Sequence, residues 1–247
     1  REYRELGVGT EQLQKAVEDS FVGARVARLD RDTATKDGVE EVLDRLRRRE
    51  VDVLVGTQMV TKGHDIPGVT LVGVVLADQS LAFPDFRASE RTFQLLAQVA
   101  GRAGRADAPG EVVLQTFQPE HPAVQLAAAH DYEGFYSVEI ENRREVGYPP
   151  FARLATARVH AGAEPEAKRA TQHLADAARR HAAVREGAVQ VLGPAPAPLA
   201  RLRGRYHYRL LLKSADRKLL RQVAAILTAR IDEGLSPAHA TLDIDPL

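Results

Sequence analysis

The run Gln98–Gly110 reads QVAGRAGRADAPG. Arg102 and Arg105 stand three apart, each behind a glycine, so on a continuing helix they would share nearly one face. A guanidinium is a planar fork of donors that meets phosphate oxygens two at a time. Arginines so placed stabilise charge developing on a transferred γ-phosphate. Gly101 and Gly104 clear side-chain bulk beside them, and the Gln98 amide can hold a ligand or a neighbouring loop. The plainer alternative is a helix end whose arginines complement the helix dipole.

A second stretch, Gly56–Val69, reads GTQMVTKGHDIPGV and follows the apolar run VDVLV. Loops at the carboxyl ends of strands in open α/β sheets are where ligands bind. Thr57 and Thr61 offer hydroxyls, Gly63 lets backbone approach a ligand, and Asp65 can accept from a ribose hydroxyl. An ordinary loop of turn residues is the competing reading. His64 has no partner at metal-ligand spacing and is read as a loop residue.

A third stretch is basic. Arg201, Arg203, Arg205, Arg209, Lys213, Arg217, Lys218 and Arg221 are interrupted by one acid, Asp216. Arginines supply affinity for a phosphate backbone, and the interleaved Tyr206 and Tyr208 can stack on unpaired bases. On a strand, Arg205, His207 and Arg209 fall on one face and the tyrosines on the other. The expectation is DNA contact through the arginine face, against a reading in which tyrosines fill a core and arginines are merely solvated. Arg217 and Arg221, one helical turn apart, form a basic face suited to an acidic-hydrophobic peptide. Phe83, Phe86 and Arg87 cluster in SLAFPDFRASER, as a DNA-touching loop or as packing against the next helix. Asp243 and Asp245 read as exposed strand carboxylates and not as a metal pair.

The elements that must position these residues fall into two rhythms. The first half alternates strand-like and helix-like runs, with VDVLVGT and TLVGVVLAD reading as buried parallel strands, which is the pattern of a doubly wound α/β layer. It starts with a strand in YRELGVG and a helix capped by Thr10, and ends in a helical stretch over about Pro122 to Arg144. Pro149 and Pro150 break the pattern. The remainder reads β-α-β-β-α-β, a small α+β domain, with PAPAPLARLRGR expected as a stiff loop and Asp216 opening the last helix. The expected boundaries are a first domain at 1–135, a connecting segment at 136–150 and a second domain at 151–247.

Composition excludes several classes. The chain has 247 residues and no cysteine, so disulfides and thiolate metal sites are ruled out and no metal site is expected. Net charge is zero, and six of the 34 basic residues are lysine, so the clustering of arginines carries more information than their number. No apolar run approaches the ~18 residues of a membrane helix. A cytoplasmic setting without membrane contact is expected. The charged start without Met suggests a piece of a longer protein.

The glycine-arginine pair and the strand-end loop, about forty residues apart on one α/β layer, resemble motifs V and VI of a superfamily 2 helicase, on its second RecA-like lobe. GVGTEQL, GTQMVTKGHDIPGVTLV, PDFRASERTFQLLAQVAGRAGRA, GEVVLQT and PEHP further resemble the PriA family of replication-restart helicases, also called primosomal protein N′. The likeness continues through PPF, VLGPAPAPLARLRGRYHYRLLL and LDIDP, and so covers nearly the whole chain.

The resemblance implies that Gly63 and Asp65 face the nucleotide and that Thr57 contacts the DNA backbone or couples it to the nucleotide. It implies that Gln98 lines the cleft between two lobes, that Arg102 and Arg105 reach the γ-phosphate, and that Gly9, Thr10 and Glu11 position the site. It implies ATP and Mg²⁺ shared with a first lobe, and zinc held elsewhere in the parent. Neither a G-x-x-x-x-G-K-[ST] loop nor a D-E-x-H box occurs here, so this chain alone is not expected to hydrolyse ATP. The implied parent is a monomer acting at the nucleoid. It binds branched and single-stranded DNA, the C-terminal tail of single-stranded-DNA-binding protein and other primosome proteins, and unwinds DNA 3′ to 5′. The alternative is a non-catalytic fork-binding scaffold with a degenerate ATPase.

Overall fold

The computed structural model describes residues 9–30, 36–57, 68–101 and 110–245. The chain divides into two compact units, Arg1–Ala82 with Arg87–Phe135, and Phe83–Phe86 with Tyr136–Leu247.

In the first unit, helix α1 (Thr10–Ser20) leads to strand β1 (Val26–Leu29), helix α2 (Lys36–Arg47) and strand β2 (Val53–Gly56). The two strands pair in parallel, as a helical crossover between them requires. Leu43 of α2 is fully buried, with Leu29 and Val55 of the strands also buried. Asp52, just before β2, accepts from Arg25 Nε and Nη2 at 2.8 and 2.6 Å and from its backbone N–H at 2.8 Å. Those bonds, the guanidinium's first, hold the Asp52 carboxyl well below the usual carboxylate range.

The second parallel pair joins β3 (Leu71–Val74) and β4 (Glu111–Leu114), with α3 (Ala88–Ala100) between them in sequence. Helix α4 (Pro122–Ala128) follows, and then α5 (Tyr132–Val146). Phe93 of α3 stacks on Phe135 with ring centroids 4.2 Å apart, and Leu96, Val124 and Ala127 close this core. The expectation of fully buried strands is corrected here. Val74 and Leu114 pack into that cluster, whereas Leu71 and Val113 are more than half exposed. The stretch from Pro122 is also two helices. His130 takes a positive φ of 54°, and the Asp131 side chain accepts from the Gly134 N–H at 2.8 Å, starting α5 afresh.

The second unit contains a four-stranded antiparallel sheet. Its elements are β5 (Arg153–Ala161), α6 (Glu164–Arg179), α7 (Ala182–Arg185), β6 (Gln190–Leu202), β7 (Arg205–Ser214), α8 (Arg217–Asp232) and β8 (His239–Ile244). The strand order is β6-β7-β5-β8, the split β-α-β-β-α-β arrangement read from the sequence. Ala155, Ala157, Val159, Leu210 and Leu212 point to one face and meet Leu174 of α6 and Leu220, Val223 and Leu227 of α8. The many alanines let the helices lie close to the sheet. Asp216 caps α8, accepting from the N–H groups of Lys218 and Leu219 at 2.7 and 3.1 Å.

Helix α6 stops at Arg179, and His181 starts a new turn, its Nδ1 accepting from the Ala183 N–H at 3.2 Å. One expectation is corrected in this unit. The proline-rich stretch is not a loop but the body of β6, which pairs with β7 with irregular register between Leu192 and Arg201. Proline is tolerated because β6 is an edge strand, where every second N–H points away from its neighbour, and Pro194, Pro196 and Pro198 recur at every second residue. Gly193 sits at the first irregularity with φ 110°, and a Cβ there would lie 2.9 Å from the Arg209 carbonyl oxygen. Gly193→Ala is expected to destabilise this unit by about 1–3 kcal/mol, seen as a lower urea midpoint. An unchanged midpoint would contradict this close approach.

Candidate functional site

The first-unit residues singled out for nucleotide chemistry are only partly in view. Gly63, Asp65, Arg102 and Arg105 lie outside the described residues, as do His64 and the run YRELGV. Thr57 is exposed, immediately beyond the carboxyl end of β2, and Gln98 is exposed in the last turn of α3. Thr10 does not cap its helix, where Gly9 is the N-cap residue without a side-chain bond. Its hydroxyl donates instead to buried Asp30 at 2.6 Å, and Arg28 Nε lies 3.2 Å from the same carboxylate. Leu29 and Gly56 are partners in the parallel register, so Asp30 and Thr57 are the next residues on adjacent strands. The bond therefore fixes α1 against the end of β1, beside the end of β2 that carries Thr57.

The basic stretch of the second unit is fully described. Strands β6 and β7 join through Arg203 and Gly204, both at positive φ, 50° and 75°. Two such residues make the two-residue hairpin turn whose twist matches the strands. Arg203 is thereby held at the tip, exposed. Arg205 and Arg209 lie on the sheet face opposite the helices, with His207 between them, as strand alternation requires. Arg201 departs from this group, since it faces Tyr206 across the hairpin with its guanidinium carbon 5.4 Å from the ring centroid. Arg217 and Arg221 are exposed on α8.

The tyrosines belong to the core. Tyr208 is buried, and its hydroxyl donates to Glu164 at 2.8 Å. That bond, with burial, raises the Tyr208 pKa above the ordinary phenol value. Tyr206 packs partly buried against the same cluster. The Tyr208 ring is therefore enclosed, whereas Arg205 and Arg209 lie on the opposite sheet face.

Strand pairing adds residues that the basic stretch did not contain. Arg158 of β5 lies directly opposite Arg209. His160 lies between His207 on β7 and His239 on β8, with ring centroids 5.4 Å away on each side. Arg205 Nη1 is 3.1 Å from His160 Nδ1. Burial, then the neighbouring Arg205, His207 and His239, holds His160 below the usual imidazole range. The alternation of Arg158 and His160 was legible locally, but their juxtaposition with β7 and β8 depends on pairing between distant segments. Among the described residues, no group of three or more His, Cys, Asp or Glu side chains is placed to hold a metal ion. Among them also, no helix is long and apolar enough to cross a membrane.

Comparison with known proteins decides the lineage. Residues 4–107 match the helicase conserved C-terminal domain, and residues 144–247 match the primosomal protein N C-terminal domain. The chain is 37% identical over 243 residues to the replication restart protein PriA of Bacillus subtilis, covering 98% of this chain and 30% of that protein. It is 40% identical over 243 residues to the PriA protein of Treponema pallidum, covering 98% of this chain and 36% of that one. The chain belongs to the PriA family. It spans about a third of the length of these relatives. Both units therefore have family counterparts: a RecA-like helicase lobe with parallel strand pairs, and the family's C-terminal domain with its antiparallel sheet.

Proposed function

We propose that this chain serves replication restart by binding branched DNA at stalled forks, within a protein that unwinds DNA 3′ to 5′ using ATP and Mg²⁺. The observation that carries this is the pairing, on one chain, of a helicase C-terminal match with a primosomal C-terminal match. In this reading the first unit supplies one wall of an ATP site shared with another lobe. Gly63 and Asp65 meet the nucleotide, Arg102 and Arg105 offset charge on the γ-phosphate, and Gln98 lines the cleft. Thr57, at the strand end tied to Thr10 through Asp30, relates DNA contact to the nucleotide side.

The second unit holds DNA. Arg203 at the hairpin tip and Arg205 and Arg209 on the open sheet face meet phosphates, and Arg201 flanks them over Tyr206. Each such contact releases counterions, so binding weakens steeply with salt. The acidic-hydrophobic tail of single-stranded-DNA-binding protein docks on α8. Arg221 and Asp232 line a shallow hollow with Ala224, Ala225, Thr228, Ala229 and Ile244, and Arg217 lies one turn away. Two arginines beside an apolar surface suit a peptide that is acidic and apolar at once.

Two measurements test these assignments. In a parent protein carrying the other lobe, Arg105→Ala is expected to lower DNA-stimulated ATP hydrolysis by about 10³-fold while DNA binding persists. Absence of hydrolysis in the unmutated parent would refute the motor reading and leave a fork-binding scaffold. For the tail, Arg221→Ala is expected to weaken binding of a labelled acidic-hydrophobic peptide to the chain by about tenfold. Equal binding by the variant would remove α8 as the docking surface.

A further inference from the structure

The face of the C-terminal sheet opposite α6 and α8 carries two cross-strand rows. One is Arg209 opposite Arg158, and the other is His207, His160 and His239 in register across β7, β5 and β8. Two residues along a strand advance ~6.8 Å, so the rows run side by side. Like charges set directly opposite each other on a sheet are destabilising. The arginine pair therefore repels itself, and an anion lying over the face would relieve that repulsion.

Resting on the DNA-binding reading above, we propose that this face carries a DNA strand whose phosphates cross both rows, and that the histidine row tightens the grip as it takes up protons. Arg158, His160 and His239 thus join the binding surface. Cations and acids both face the row. From β7, Arg205 and Arg209 flank the row, with Arg205 Nη1 at 3.1 Å from His160. From β8 the acid facing it is Asp243, whose carboxylate lies 3.5 Å from Arg158. Edge strand β6 sets uncharged Leu202 and Ala195 opposite Arg205 and Arg209. The segment Phe83–Phe86, packed in the same unit, brings Asp85 and offers the Pro84 carbonyl oxygen to Arg209 at 3.4 Å. Glu164, bonded to Tyr208, lies on the helix-covered side.

The direction of the pH effect follows. In the free protein, burial, then the neighbouring Arg205, His207 and His239, holds the His160 pKa below the usual imidazole range. A phosphate over the row favours the protonated form instead, so binding takes up protons and strengthens as pH falls. For folding alone the sign is opposite. The lowered His160 pKa means the unfolded chain binds more protons, so stability declines as pH drops below the ordinary imidazole range.

The test is fluorescence anisotropy of the chain with a labelled DNA fork at fixed ionic strength. From about pH 8 to about pH 6 the unmutated chain is expected to bind about five- to tenfold more tightly. The triple variant His160→Gln, His207→Gln, His239→Gln should gain less than about twofold over the same pH interval, whatever its affinity near pH 8. A second variant, His239→Gln alone at the exposed end of the row, should show an intermediate gain. An undiminished pH response in the triple variant, or none in the unmutated chain, overturns the histidine assignment. The parent reading is read separately near pH 8. If Arg203→Ala, Arg205→Ala and Arg209→Ala together leave affinity unchanged there, the arginine surface fails whatever the histidines do. No binding at either pH overturns both.

Discussion

Two helices can cover only one face of a four-stranded antiparallel sheet. That constraint organises the C-terminal unit. Strand alternation sends Ala155, Ala157, Val159, Leu210 and Leu212 into the core with α6 and α8, and sends every intervening residue outward. Over Thr156–His160 of β5 the helices make no packing demand on the intervening positions. On β5 and β7 the sequence places Arg158, His160, Arg205, His207 and Arg209, and the register aligns them into rows. The basic surface is thus a consequence of the same period of two that builds the core, and shifting one strand by a residue would destroy both.

The remainder of the unit supports that face. Phe86 stacks on Tyr148 with ring centroids 5.4 Å apart, Arg143 lies over Phe86 at 5.2 Å, and Lys213 over Tyr148 at 5.3 Å. Lys213 Nζ also donates to the Val146 carbonyl oxygen at 2.8 Å. These contacts occupy Lys213, the last outward-facing cation of β7. Arg203, at the other end of that strand, extends from a turn that needs positive φ at two successive residues. In sequence, Phe86 is followed by Arg87 and then by α3, the helix that bears Gln98.

Much of this was legible from sequence, and the gaps have physical causes. Local signals served well: Asp216 caps α8, helix α3 spans the run ASERTFQLLAQVA, and Arg205, His207 and Arg209 share a face. Local signals misled at β6, where proline suggested a loop and an edge position made a strand possible. Thr10 looked like a cap because threonine often is one, yet a buried carboxylate twenty residues away claimed its hydroxyl. Tyr206 and Tyr208 offered two readings that only burial separated. His239 gave no sequence sign of belonging with His160, since their proximity arises from pairing across nearly eighty residues. Arg102 and Arg105, read from spacing and resemblance as meeting the γ-phosphate, lie outside the described residues.

The central claim is that the helix-free face of the C-terminal sheet is where DNA lies. The most direct measurement is an NMR titration of the isotope-labelled chain with a DNA fork. The account predicts shift changes on Arg158, His160, Arg205, His207 and His239 and at the Arg203–Gly204 turn, with the outward sides of α6 and α8 unmoved. Changes confined to α6 and α8, with the open face silent, would contradict it.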